Sequence, residues 1–451
     1  MTPVTLNAYK LLHNGSLALA RMEANGLRVN TSYLNRAIEG VSAKIKQLEE
    51  KLRADPVWME WRKVHGDRSK LGSREQLGKV LFDHMKIPSP GFTEKSEEEG
   101  AKQRYRTDEV AFERIDLPFV RRWVKVEHLK KALSTNLIGL YREVVDGFVH
   151  PSFCLHTVQT YRSSCREPNV QNQQIRNPTV AKIVRRCYIP RDGHVLVEID
   201  YKALEFKISA CFWKDPEMVK YASDDTLDIH RDLAAMIFKC RKVQVSKRMR
   251  YLGKNGFVFP HLYGSYWGKI SPAIWGEVEK LELDDGTTLQ THMTSKGIGD
   301  EDSFARHVED VEKKFDSRFH IFANSRDKWY DEYRKVGGFP FLTGFWAQGL
   351  YSKNQVLNTP IQGPAFHCLL WSLIQIQKEI DQRKMEAKLV AEIHDSILAD
   401  VPIKEIGDYV SLCKEVMMER VRKHWPWIIT PLDIEVEVAD RNWHNKKVWP
   451  S

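Results

Sequence analysis

Apolar residues recur along this chain at two spacings, and the change from one to the other divides it. Residues 32–54 put Leu34, Ile38, Val41, Ile45 and Leu48 on one stripe, which predicts a long helix with a polar outer face. Helical spacing returns from residue 119 to 145, where Leu129, Leu133, Leu137 and Leu140 share a face. Residues 195–201 instead form a short apolar run of strand type. Residues 204–213 open a mainly helical stretch that reaches about residue 351. The last hundred residues predict a helix (about 364–384), a hairpin (about 389–401), a helix (about 406–424) and a closing strand (432–438). A strand region split by helices implies a sheet assembled from distant segments, an α+β fold.

Composition changes this picture only modestly. A chain of 451 residues is too long for one compact core, and 42% hydrophobic content is ample for globular subdomains. No apolar run approaches the roughly 18 residues of a membrane span, and no apolar signal segment opens the chain. A soluble, intracellular protein with no membrane partner is expected. Seven cysteines at irregular spacing, without a Cys-x-x-Cys pair, fit reduced thiols better than a disulfide frame or zinc site. Lys and Arg exceed Asp and Glu by 69 to 60, a net +9 that suits a polyanion without requiring one. The polar, charged stretch 94–104 reads as a solvated loop.

Candidate chemistry sits at strand ends. Asp200 closes Val195-Leu196-Val197-Glu198-Ile199, and His394-Asp395-Ser396 falls at the turn between two strand-like arms. Two carboxylates meeting there could share divalent metal ions, though either alone reads as an ordinary turn residue. Arg250 and Lys254 are one helical turn apart, a spacing that can neutralise a triphosphate or simply make a solvated basic face. Asp228-Ile229-His230 opens a further helix, with His230 either a phosphate donor or a packing residue. Tyr263-Gly264 can stack a base or merely stop a helix.

Several ordered segments carry a more specific signal. They are Leu71-Gly72-Ser73-Arg74-Glu75-Gln76-Leu77-Gly78, Lys131-Ala132-Leu133-Ser134-Thr135, Thr160-Tyr161-Arg162-Ser163-Ser164 and Pro168-Asn169-Val170-Gln171-Asn172. Asp200-Tyr201-Lys202-Ala203-Leu204-Glu205-Phe206-Lys207, Asp228-Ile229-His230, Arg250 with Lys254, Asn358-Thr359-Pro360-Ile361-Gln362-Gly363 and His394-Asp395-Ser396 follow. In this order, over nearly the whole chain, they resemble the polymerase module of family A DNA polymerases, the group of bacterial DNA polymerase I and its phage relatives.

The resemblance implies a right-hand polymerase. Residues 1–150 would form N-terminal helices and thumb, 151–235 and 351–451 the palm with its antiparallel sheet, and 236–350 helical fingers. It implies template-directed extension of a primer 3′ end with dNTPs and two Mg²⁺ ions. Asp200, Asp395 and the Tyr201 carbonyl would hold the metal, with Ser396 in place of the family's glutamate. Asp200, Asp395 and Lys254 would be catalytic. Arg250, Lys254 and His230 would meet the triphosphate, and Glu205 would crowd the sugar 2′ position. Arg162, Asn169, Asn172, Gln362 and His394 would touch primer–template DNA. Lys202-Ala203 replaces the family's Ser-Gln, which leaves template-side contacts open.

One residue more than the family has lies between Lys254 and Tyr263, and Pro260 should kink or end that helix. Phe259, four before Tyr263, is expected as the nucleotide-side aromatic, with Phe257 the alternative. The chain starts almost at the thumb, so no room for an upstream proofreading domain is expected, and a separate exonuclease, helicase or processivity factor would be partners. Cytoplasmic location follows, the host's cytoplasm for a phage gene. Residues 270–312 exceed what the family needs and have no assigned role; their acidic stretch 277–285 reads as surface. Two rival readings are a single-subunit RNA polymerase, against which Glu205 argues, and an inactive DNA-binding subunit derived from a polymerase.

Overall fold

The computed structural model describes residues 6–93, 104–108, 111–112, 115–172, 178–278, 280–283 and 285–450. The fold is α+β, with most elements helical. The charged stretch 94–104 lies almost wholly outside the described residues. No helix among them is long and apolar enough to cross a membrane.

The predicted N-terminal helix runs Thr31–Arg53, capped by Asn30, whose side chain accepts from the Tyr33 amide. Such a cap contributes about 1 kcal/mol. Leu34, Val41, Ile45, Leu48 and Leu52 are buried along its inner stripe. The helix Leu6–Asn25, which the spacing does not predict, precedes it and packs against the helix Lys353–Gln382.

One five-stranded antiparallel sheet organises the chemistry. In chain order its strands are β1 His194–Tyr201, β2 Lys388–Ile393, β3 Ser396–Pro402, β4 Ile434–Ala439 and β5 Lys447–Val448. Their spatial order is β5-β4-β1-β3-β2, so β1 lies centrally between strands from more than 190 residues downstream. The register pairs Asp200 with Ser396 on one side and with Glu435 on the other. Val195, Val197, Ile199 and Tyr201 alternate onto one buried face of β1. The Tyr201 hydroxyl anchors that face, bonding Ser372 Oγ at 2.9 Å and the Met417 carbonyl at 3.0 Å.

Two hydrophobic cores result. The larger joins the N-terminal helices, the sheet and the helix Lys353–Gln382. The second lies within the helical stretch between residues 206 and 357.

The stretch from residue 204 to about 351 is mainly helical, and Gly338–Pro340 and Trp346–Gln348 pair near its end as antiparallel strands. The structure corrects two expectations. The helix expected from about residue 364 begins at Lys353, where Ser352 and Gln355 form a capping box. Pro360 and Pro364 lie inside it, and the Val356 carbonyl that Pro360 cannot satisfy accepts from Trp329 Nε1 at 3.1 Å. Finally, the acidic stretch is not simply surface. Glu277 is largely covered and paired with Arg248 and Lys280, and Leu283 is buried.

Candidate active site

The hairpin β2–β3 and the end of β1 bring Asp395 and Asp200 together. His394 takes a left-handed conformation, φ 61°, to make the tight turn. The Asp395 carbonyl accepts from the Tyr201 amide at 3.2 Å, which fixes the hairpin tip against the end of β1. Ser396, beside Asp395, points to Glu198 (3.4 Å) and the Ile393 carbonyl (3.2 Å). Among the described residues no group of three or more His, Cys, Asp or Glu side chains is placed to hold a metal.

The two aspartates are electrostatically loaded. Crowding by protein atoms, followed by the charge of Asp395, pushes the Asp200 carboxyl up to about 7, although Asp200 keeps contact with solvent. Burial raises Asp395 to about 6, with Glu205 adding to the rise and Arg162 and Lys254 opposing it. Asp395 Oδ1 is buried without a hydrogen-bond partner, and Arg162 Nη2 lies 3.8 Å away. Two hard oxygen donors, one orphaned and both resisting ionisation, fit a divalent cation such as Mg²⁺.

A raised carboxyl pKa means that the native state holds the proton more tightly than the unfolded chain. The stability it contributes is present below the ordinary value of 3.8 and lost as pH rises toward 6–7. Without divalent cations, the wild-type Tm should therefore fall from about pH 5 to about pH 8 more steeply than that of Asp200→Asn/Asp395→Asn. Mg²⁺ should raise the wild-type Tm more at the alkaline end. Parallel curves for the two proteins would contradict the charge clash.

The cationic wall comes from two packed helices. Asp228 caps Ile229–Ile237 and also accepts from Arg250 Nε at 2.6 Å. A Cβ at Gly253 would stand 2.5 Å from the His230 carbonyl, so glycine there permits the contact that sets His230 beside Lys254. His230 is buried, with Nδ1 unpartnered. Burial first, then the Lys254 and Arg250 charges, lower its pKa to about 3, so it is a neutral imidazole at pH 7.

Arg250 and Lys254 belong to helical residues 247–262, but not to one uniform α-helix. Lys247–Leu252 leads into a π-turn, Gly253–Val258, and then Phe259–Leu262. The Phe259 amide bonds back to the Lys254 carbonyl, five residues earlier, so the widened turn absorbs the additional residue. Pro260 does not end the helix, which continues to Leu262. Phe257 is buried in the second core, whereas Phe259 faces the site. Its ring stacks 5.9 Å from Tyr263, lies 5.8 Å from His230 and sits under Lys254 Nζ at 5.6 Å.

Glu205, on the helix Leu204–Trp213, accepts from both Arg162 and the Tyr263 hydroxyl. Arg162 is thus drawn to the carboxylates here. Gly363 makes room for its loop: a Cβ there would meet the Thr160 carbonyl at 3.0 Å. Gln362, next to it, is half-buried, and His394 is exposed at the hairpin tip. Asn169 Oδ1 accepts from the Asn172 amide at 2.9 Å, shaping a turn, with Asn172 exposed. Lys202 pairs with Asp433 at 2.6 Å, which occupies its charge.

The sequence pattern did not single out Glu392. It is fully buried in β2, bonded by Ser163 and by Gln171 Nε2 at 2.6 Å, and burial raises its pKa to about 7. Its signal was a lone acid inside the apolar run Leu389-Val390-Ala391-Glu392-Ile393.

A model described as DNA polymerase family A matches residues 33–279 and 347–445. A thermostable DNA polymerase I of Thermus thermophilus is 27% identical over 96% of the chain and 47% of its own length. DNA polymerase I of Lactococcus lactis is 26% identical over 95% of the chain and 45% of its own. The chain thus spans about half the length of these curated relatives. In fold, it resembles the POL domain of Pol1 from M. smegmatis, solved in complex with DNA primer-template and dNTP. That similarity has a TM-score of 0.77 at 22% identity, covering 96% of this chain and 70% of that one.

Proposed function

The chain belongs to DNA polymerase family A, and on that premise we propose that it is a DNA-directed DNA polymerase extending a primer on a DNA template with dNTPs. The observation that carries the reading is the convergence of Asp200 and Asp395 opposite Lys254, Arg250 and His230. In this reading the five-stranded sheet is the palm, formed by residues 151–235 and 351–451. Residues 236–350 are the fingers and 1–150 the N-terminal helices and thumb.

Asp200, Asp395 and the Tyr201 carbonyl would hold two Mg²⁺ ions. When bound, these supply Lewis-acid activation of the primer hydroxyl and charge neutralisation at the phosphates. The chain's residues provide positioning. Arg250 and Lys254 bind the triphosphate, and neutral His230 offers an N–H to a phosphate oxygen. Phe259 and Tyr263 give the base a stacking face. Arg162, Asn169, Asn172, Gln362 and His394 would touch the primer–template DNA. The primer 3′ oxygen forms a bond to the α-phosphorus as the bond to pyrophosphate breaks, with Lys254 and Arg250 facing the charge that leaves.

Glu205 is the proposed sugar filter. Two hydrogen bonds hold its carboxylate in place, so it is a fixed obstacle and not a mobile one. Glu205→Ala should lower the kcat/KM preference for dNTP over NTP by roughly 10- to 200-fold, the scale of one group missing from a pocket. An unchanged preference would remove Glu205 from this role. The function itself is tested by extension of a labelled primer with dNTPs and Mg²⁺. Primer-independent synthesis from NTPs would instead favour an RNA polymerase, and no synthesis with either an inert DNA-binding subunit.

A further inference from the structure

The helical residues 247–262 face the site with Lys254, Phe259 and Tyr263, and their opposite side carries a buried polar lock. His261 is 0% exposed. Its ring stacks 5.6 Å from Phe257 and meets Phe315 edge-on at 5.1 Å. Within this apolar packing it faces three charged groups. Nε2 lies 2.7 Å from Asp316 Oδ1, Nδ1 lies 3.6 Å from Glu312 Oε2, and Arg326 Nη2 donates to Asp316 Oδ2 at 3.0 Å. Asp316 therefore takes His261 on one oxygen and Arg326 on the other. Arg326 Nη1 also approaches Nε2, at 3.1 Å, so the imidazole sits against both members of the Arg326–Asp316 pair.

Glu312 ends the segment that had no role, and the other partners follow it directly. Glu312 and Asp316 lie on the helix Glu301–Arg318, and Arg326 on His320–Val336. Glu312 also accepts from the Trp267 amide at 2.6 Å, at the start of Trp267–Val278. That helix presses on the same side, since a Cβ at Gly256 would lie 3.1 Å from Ile274. A buried histidine with charged partners has one low-energy orientation, whereas an apolar side chain could slide.

We propose that His261 is a positioning residue for nucleotide selection, and that residues 267–318 are the brace it locks to. The π-turn makes this geometry available. The additional residue before Tyr263 turns His261 into the brace while Phe259 and Tyr263 keep the nucleotide side. The inference rests on the polymerase reading and deepens it. His261 acts through the helix and touches no substrate.

The test compares wild type, His261→Leu, His261→Gln and Asp316→Asn in the full chain. It reads single-nucleotide extension, primer–template Kd and amide hydrogen exchange across 247–262. His261→Leu should raise the dNTP KM about tenfold, as small misplacements of a binding face do, and leave primer–template Kd within about twofold. Exchange across 247–262 should quicken. His261→Gln keeps an N–H donor and should recover most of the loss. Asp316→Asn, isosteric, should shift KM in the same direction by about threefold or more and carries the test if His261→Leu does not fold. Wild-type KM or wild-type exchange in a folded His261→Leu overturns the proposal, as does a failure of His261→Gln to recover. A wild-type chain that extends no primer removes the polymerase reading and this role together, whereas extension with an insensitive His261→Leu removes this role alone.

Discussion

Asp395→Asn should cut primer extension by about 10³-fold or more, because it removes a ligand charge worth several kcal/mol in the transition state. Two features make the result diagnostic. The substitution is isosteric and leaves the Tyr201 amide bond to the residue 395 carbonyl, which is backbone, in place. The native carboxyl is also under electrostatic load, its pKa raised to about 6, so the neutral amide should not weaken the fold. Primer–template Kd and Tm should stay at or above wild-type values. Activity within tenfold of wild type would remove Asp395 from the metal site, and loss of DNA binding would move it to the DNA interface.

Lys254→Ala should have the next largest effect, about 10²–10³-fold on kcat, the usual cost of losing one charge aimed at the transition state. Lys254 is the cation whose field is felt both by Asp395 and by His230. It therefore lies between the metal-side carboxylates and the proposed triphosphate wall. Removing it should also raise the His230 pKa, since the Lys254 charge helps to depress it. The kcat loss with little change in primer–template Kd separates this role from a general basic surface. A variant that loses DNA affinity while keeping kcat would return Lys254 to the solvated basic face.

The most readable parts of the chain were those whose signal is local. The stripe at Leu34, Val41, Ile45 and Leu48 and the hairpin arms flanking His394-Asp395 predicted elements that the structure contains. Phe257 is buried, and Phe259, which counting back from Tyr263 favours, lies beside Lys254 and His230. Prolines hide part of the rest, because a proline ordinarily kinks or ends a helix. Pro360 and Pro364 sit within a helix because Trp329, 31 residues before the first of them, supplies the donor missing at Val356. Pro260 sits within another because a π-turn precedes it. Neither remedy is visible in a window around the proline.

Site chemistry was legible as residue identity but not as environment. That Asp200 and Asp395 meet follows from β-register between segments some 190 residues apart, which no local pattern encodes. Neutral His230, Glu205 clasped by Tyr263 and Arg162, and the His261 lock all depend on tertiary packing. Glu392 went unnoticed because one acid in a strand ordinarily faces solvent, and only burial shows that it holds Ser163 and Gln171.

The most direct measurement is templated single-nucleotide incorporation. A labelled DNA primer is annealed to templates presenting each of the four bases, with Mg²⁺ and one dNTP or NTP at a time. The polymerase reading predicts extension by the complementary dNTP on each template, weak extension by the matching NTP, and none in Asp200→Asn/Asp395→Asn. Extension that ignores the template base, or that persists in the double variant, would contradict it.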